Sequence, residues 1–275
     1  MQSNCSNKIM VFITVFLFTL TALSLEKNSD EFPFELTDGK EAFIFSAGLG
    51  LMTSFMFTPS TDFEKSEILA LDKYDLNAFD RSAVSMNDRK SDIASDVLTY
   101  SLACAPLLFF ADRSLNRSLP NSFTYLVMYA ESVLIANGIS RTVKTVFQRN
   151  RPYVYNDSLS LKDRTTSDWN LSFPSNHTVN AFNAAVFVST VFTFTYPDSK
   201  WVPVVWSVSL SAAAAAGILR ITAGEHYPTD VIAGAVLGSL TGLFIPLLHK
   251  IKNKNLSVIP VVSSEYGGLQ AVVNF

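Results

Sequence analysis

Lys144-Thr145-Val146-Phe147-Gln148-Arg149-Asn150-Arg151-Pro152, Pro174-Ser175-Asn176-His177, and Arg220-Ile221-Thr222-Ala223-Gly224-Glu225-His226-Tyr227-Pro228-Thr229-Asp230 are the three polar clusters around which this chain is organised. Each interrupts or borders an apolar run. From Val179 to Leu248 the remaining sequence is mostly Ala, Val, Leu, Ile, Phe, Gly and Ser. Cations and imidazoles in such company need partners, because a buried charge left alone is costly. Two of the three histidines, His177 and His226, fall inside the clusters.

Outward from the clusters, apolar runs at Val97–Ala111, Phe123–Ser140, Val179–Tyr196, Val202–Ile221 and Val231–Leu248 predict helices. Pro106, Glu131 and the Ala212–Ala216 run make several of them less oily than single-pass anchors, as expected for helices that pack on one another. Phe43–Thr58, with Gly48 and Gly50, is a shorter apolar run. The pattern predicts an all-α, multi-spanning membrane helical bundle of about six core helices. Tyr196, Trp201 and Trp206 fit an aromatic belt at one boundary. Glu131, about three turns before Lys144, is either a bundle-facing partner or a polar residue near the headgroups.

Composition agrees. Of 275 residues 48% are hydrophobic and 16% charged, against about a quarter charged in soluble domains. A net charge of −3 is too small to imply nucleic acid as a partner, and no strongly basic face appears, so none is expected. Cys5 and Cys104 alone make no disulfide framework, and Cys104 reads as a small core residue.

Four regions follow. Residues 1–25 read as a signal peptide or N-terminal span, with Lys8 before an apolar run and Ala22-Leu23-Ser24 at its end. Residues 26–94 hold the apolar segment and a polar amphipathic loop, read as a solvated connector. Residues 95–248 form the helical core. Residues 249–275 form a tail that opens with His249, Lys250, Lys252 and Lys254 and then alternates, suggesting a strand or extended segment. Basic residues after a span favour the cytoplasmic side, and His249 reads as an interfacial residue whose ring snorkels to the surface.

The clusters carry chemistry as a set. Lys144 and Arg151 are seven residues apart, two helical turns, so a helix continued to Pro152 would put both on one face, suited to an oxyanion. Pro152 ends that helix. Ser175 and Asn176 stand where a long helix begins, as natural caps beside amides that form an anion site, and His177 in the first turn is placed to protonate a leaving oxygen. His226 and Asp230, four apart across a turn, can set a carboxylate on one imidazole nitrogen so that the other attacks, with Arg220 as anion clamp. Taken singly, each cluster has a plain explanation as surface cations, a helix cap or a loop hydrogen bond. Their order and their places at helix ends argue for one site.

The clusters resemble the three-part signature of the type 2 phosphatidic acid phosphatase superfamily: Lys, six residues, Arg-Pro; Pro-Ser-Gly-His; and Ser-Arg, five residues, His, three residues, Asp. Lys144, Arg151, Pro152, Pro174, Ser175, His177, Arg220, His226 and Asp230 match. Asn176 stands where the family has Gly, a residue that tolerates left-handed backbone, and Leu219 stands where it has Ser. The resemblance, over roughly residues 95–248, implies His226 as a nucleophile forming a phosphohistidine, Asp230 as its orienter and His177 as general acid. It implies Lys144, Arg151, Ser175, Asn176 and Arg220 as the phosphate cradle, with no metal and no cofactor. The signature alone does not name the substrate; the apolar runs flanking all three clusters argue for the superfamily's membrane branch, which implies a lipid substrate: a phospholipid, polyprenyl or lipid A phosphate. The setting would be a bacterial-type inner (cytoplasmic) membrane, with the site facing the periplasm or exterior. Secreted non-specific acid phosphatases and vanadate-dependent haloperoxidases share the superfamily. A non-catalytic membrane protein binding phospholipid headgroups is the alternative from another class; the intact His177, His226 and Asp230 speak against it.

Overall fold

The computed structural model describes residues 32–53, 56, 65–106, 119–251, 256–262 and 267–273. Six main helices form a bundle: α1 (Asp38–Met52), α2 (Arg89–Cys104), α3 (Leu119–Phe147), α4 (Asn176–Thr195), α5 (Val202–Thr222) and α6 (Pro228–His249). The helical membrane fold expected from the apolar runs is thus the observed one. Helices α4, α5 and α6 are each long and apolar enough to cross a membrane. Of the run Val97–Ala111, the part to Cys104 lies in α2, which starts earlier at Arg89, and residues 107–111 lie outside the described residues, as does the leader 1–25.

Alternation of direction follows from the contacts at the helix ends. Thr142 on α3 donates to Leu51 O near the end of α1, and Ser175 N at the start of α4 donates 3.0 Å to Asp230 O at the start of α6. At the other end, Tyr125 of α3 lies 3.0 Å from Thr195, which ends α4. The starts of α2, α4 and α6 and the ends of α1, α3 and α5 therefore share one end of the bundle. All three sequence clusters sit there.

Small residues set how closely the helices approach. Gly234, Gly238 and Gly242 recur every four residues along α6 and face α4. A Cβ on Gly238 would stand 2.2 Å from Val179 O, and one on Gly242 2.5 Å from Asn183 O. Such contact is the small-residue packing of membrane helices, which lack a hydrophobic drive to associate. Ala181, Ala185, Ala213 and Ala216 do the same between α4 and α5. Polar groups left inside are tied across helices: Asn183 Nδ2 donates to Ser132 Oγ at 2.6 Å and to Thr241 Oγ1 at 2.8 Å. Far from the clusters, Phe32, Phe34, Ile44, Tyr125, Met128, Phe187, Val191 and Ile245 form an aromatic-rich core.

The strand expected in the tail is present and pairs with the tail itself: β1 (Leu256–Val262) and β2 (Gly267–Val273) form an antiparallel hairpin, Leu256 opposite Val273. Two local expectations are corrected. Cys104 is exposed, not in the core. His249 does not snorkel; it is fully buried, and it is His249, not Lys144, that meets Glu131.

Candidate active site

Helix α3 delivers Lys144 but stops at Phe147, because Gln148 takes a left-handed φ of 42° that no helix continues. Arg151 is therefore not two turns along the same helix face, as the seven-residue spacing suggested. It lies in extended backbone before a short turn, Pro152–Tyr155, and is held there by Arg151 N donating 2.7 Å to Trp169 O. The chain reversal does what the helix was expected to do. Lys144 Nζ donates to Leu171 O and, at 3.4 Å, to Ser172 O, which fastens the first cluster to the approach to the second.

Ser175 occupies the N-cap of α4, but its hydroxyl does not cap; it accepts from Thr178 Oγ1 at 3.0 Å. The first-turn amides are thus not taken up by the cap side chain, and their dipole end faces the site. Asn176 is the first helical residue and is not left-handed, so the expected reason for tolerating Asn in place of Gly does not apply. Its side chain turns to α3 instead, accepting from Ser140 Oγ at 3.0 Å and donating to Asn137 Oδ1 at 3.2 Å. His177 Nε2 lies 2.7 Å from Asp96 Oδ1 on α2.

The turn from α5 to α6 carries Arg220, Glu225, His226 and Asp230. Gly224 sits at φ +76°, and a Cβ there would meet Met86 O at 2.1 Å, so the turn closes against the polar connector only with glycine. Arg220 bonds Asp92 Oδ1 and, at 3.1 Å, Ser95 Oγ. Glu225 Oε2 accepts from Arg151 Nη1 and lies 3.4 Å from Arg220 Nη2, joining the first and third clusters through one carboxylate. Asp168 holds the other nitrogen of Arg151.

His226 is 1% exposed, with Nδ1 3.6 Å from Asp230 Oδ2. That is an ion-pair distance, longer than a hydrogen bond. Asp230 is itself held firmly: Ser172 Oγ donates to Oδ2 at 2.5 Å, Tyr227 N to Oδ2 at 2.9 Å, and Arg149 Nη1 to Oδ1 at 2.5 Å. Burial lowers the His226 pKa well below the ordinary imidazole value, and the positive charges of Arg151, Lys144 and Arg220 push the same way. The ring is neutral at neutral pH and keeps a free nitrogen lone pair. The cations that produce this effect are those the sequence proposed as a phosphate cradle.

All the residues expected at the site are brought to this end of the bundle, although Asn176 reaches it through its backbone only. Sequence reading missed a set of acidic partners. Asp80 comes from the polar connector expected to be solvated, yet it is fully buried and accepts from Arg149 Nη2 at 2.7 Å and Thr229 Oγ1 at 2.8 Å. Asp92, Asp96, Asp168 and Glu225 were also missed, as was Arg149, whose guanidinium lies 4.1 Å over the Tyr227 ring. For Asp80 and Asp92 the signal available was the acidic richness of residues 59–95 beside a cation-rich site.

Fold and site together define a helical membrane protein with a cation-lined histidine centre. Residues 125–254 match the PAP2 superfamily model, and all nine signature residues lie within that stretch. Over that stretch the chain is similar to the PAP2 superfamily. It is 28% identical over 152 residues to the bacitracin transport permease protein BcrC of Bacillus licheniformis, covering 55% of this chain and 66% of that protein. It is 32% identical over 105 residues to the lipid A 4'-phosphatase of Bacteroides thetaiotaomicron, covering 37% and 42%. It is 31% identical over 109 residues to the undecaprenyl-diphosphatase of Sulfolobus acidocaldarius, covering 39% and 47%. In each case the match spans less than two thirds of the relative.

Proposed function

We propose that this chain is a membrane lipid phosphatase that hydrolyses a lipid phosphate or diphosphate through a phosphohistidine on His226. The observation that carries the reading is the buried neutral His226 beside Asp230 at a helix-end site where Lys144, Arg151 and Arg220 all act on it. A structural cluster or a headgroup-binding site needs the cations but not a depressed imidazole with a carboxylate behind it.

In this reading the phosphoryl group lies among Lys144, Arg151, Arg220 and the first-turn amides of α4, which neutralise its oxygens. His226 Nε2 attacks phosphorus as Nδ1 turns towards Asp230 Oδ2, and the P–O bond to the departing lipid breaks. His177, held by Asp96, gives its proton to the leaving oxygen and then takes one from the water that hydrolyses the P–N bond. Neutralisation by lysine and arginine does the work that a metal does elsewhere.

Three apolar helices flanking the site favour a lipid over a soluble phosphoester. Names of the relatives, lipid A 4'-phosphatase and undecaprenyl-diphosphatase, support a lipid phosphate or polyprenyl diphosphate. For orientation, Lys40 and Lys250 lie at the bundle end opposite the site, where Lys40 Nζ donates to Leu248 O at 3.1 Å. By the positive-inside rule that end is cytoplasmic and the site faces the periplasm or exterior. A cysteine at the exposed Asp157, in a cysteine-free background, should label with an impermeant thiol reagent in intact cells; labelling only after permeabilisation puts the site inside.

The test of function is phosphate release by the detergent-purified chain without added divalent metal, from phosphatidic acid, phosphatidylglycerol phosphate, undecaprenyl diphosphate, lipid A and a soluble phosphomonoester. Release from a lipid that is lost in His226→Ala supports the reading. Equal inactivity of both proteins on every substrate would leave a binding protein instead.

A further inference from the structure

Opposite the phosphatase site lies a second constellation that the proposed reaction does not use. Glu41 at the start of α1, Glu131 in α3 and His249 at the end of α6 meet inside the protein, at 1%, 0% and 0% exposure. Asp230 and His249 stand at opposite ends of α6, about 28 Å apart at 1.5 Å per residue, so the two sites do not share ligands. His249 Nε2 lies 3.0 Å from Glu41 Oε1 and 3.1 Å from Glu131 Oε2, and one donor atom from each residue falls within 4.8 Å of the others.

The orientation of these groups is informative. His249 Nδ1 is 2.8 Å from Ile245 O, and a carbonyl only accepts, so Nδ1 carries a proton and the ring turns Nε2 towards the carboxylates. His249 Nε2, Glu41 Oε1 and both oxygens of Glu131 are buried, and Nε2 meets the two carboxylates at ion-pair distance with no well-aligned hydrogen bond between them. Two carboxylate oxygens that close on one imidazole nitrogen at about 3 Å each, deep in the protein, form a compact set of three ligand atoms for an ion. Thr37 N donates 2.7 Å to Glu41 Oε2, fixing the other face of that carboxylate. A ring N–H given to a backbone carbonyl and a ligand carboxylate held by an amide are the supports that metal ligands ordinarily have. Lys40 Nζ, 3.6 Å from Glu41 Oε1 and partly exposed, is the nearby cation.

We infer that Glu41, Glu131 and His249 form a divalent transition-metal site, with one imidazole and two carboxylates suited to Zn²⁺, that pins α1 to α3 and α6 at the end of the bundle away from the phosphatase centre. A divalent ion balances both carboxylates and engages all three side chains at once. At the same end the segment before α1 is tied to the end of α6, with Glu35 N donating 2.9 Å to His249 O and Ile251 N 2.9 Å to Pro33 O. The ion therefore holds α1 and the segment before it in place and takes no part in phosphoryl transfer.

The experiment is metal analysis of the tag-free chain in detergent after equilibration with Zn²⁺ and gel filtration, with thermal unfolding before and after chelation. Wild type is expected to retain about one Zn²⁺ per chain and to unfold several degrees lower once chelated. Glu131→Gln and His249→Gln should lose the ion and the chelator response, while His226→Ala keeps both. Absence of stoichiometric zinc in monodisperse wild type, or zinc that survives in His249→Gln and leaves in His226→Ala, overturns the inference. If the two Gln variants do not fold, wild-type stoichiometry, the chelation shift and the His226→Ala result decide it.

Discussion

Asp80→Asn is the perturbation that reaches the active site through a residue the sequence left unassigned. Asp80 accepts four hydrogen bonds: Asn77 Nδ2 at 2.7 Å, Arg149 Nη2 at 2.7 Å and Thr229 Oγ1 at 2.8 Å on Oδ2, and Thr229 N at 3.0 Å on Oδ1. An asparagine that keeps its oxygen at the Oδ2 position turns its NH₂ on Thr229 N–H, which loses one bond, about 1 kcal/mol, and removes the charge from the Arg149 contact, about 1–2 kcal/mol more. The expected loss is roughly 2–3 kcal/mol of stability. Arg149, facing a neutral side chain in place of the Asp80 carboxylate, pulls harder on Asp230 Oδ1 and turns that carboxylate from His226, so kcat should fall about 10-fold to 100-fold. Unfolding of both proteins in detergent, with lipid-phosphate turnover, measures both effects. An internal control exists in pH. Burial raises the Asp80 pKa, but hydrogen bonds from Arg149, Asn77 and Thr229 outweigh it and hold the carboxyl below its usual range. The stabilisation is present above the unfolded-state value and is lost as pH falls through the folded one, so wild type and variant should converge in acid. A variant within about 0.5 kcal/mol of wild type and with full kcat would refute the second-layer role of Asp80.

Further outcomes are expected. With the His226 pKa lowered by burial and by three cations, the acid limb of kcat/KM should lie below the ordinary imidazole range, because the neutral nucleophile persists as pH falls; a limb above about 6.5 contradicts that assignment. Gly238→Ala drives a methyl into Val179 O and should cost about 1–3 kcal/mol or more by prising α6 from α4, read as lost thermal stability and folded yield. Glu225→Gln removes the carboxylate between Arg151 and Arg220, so the apparent affinity for phosphate, read by product inhibition, should rise while the folded yield falls.

The helices were legible because their apolar runs are long, and the nine signature residues because spacing and order mark them without any structure. Other features were not. Lys144 and Arg151 converge through a chain reversal set by the left-handed Gln148, where a helical face was read from their spacing. Asp80 looked solvated because its neighbours are polar, and only the folded connector shows it buried against Arg149. His249 looked interfacial because lysines follow it, whereas its partners Glu41 and Glu131 lie 208 and 118 residues earlier, a contact no local pattern encodes. Asn176 was read as a backbone substitute for Gly, but its side chain joins an amide network on α3.

The most direct measurement is to mix the detergent-solubilised chain with a ³²P-labelled lipid phosphate, quench within milliseconds and locate the label by mass spectrometry. The expected result is an acid-labile, alkali-stable phosphoryl group on His226, absent from His226→Ala and longer-lived in a variant of His177 that hydrolyses the intermediate slowly. Full turnover with no covalent phosphate at any quench time, or with the label on another residue, would contradict nucleophilic catalysis by His226.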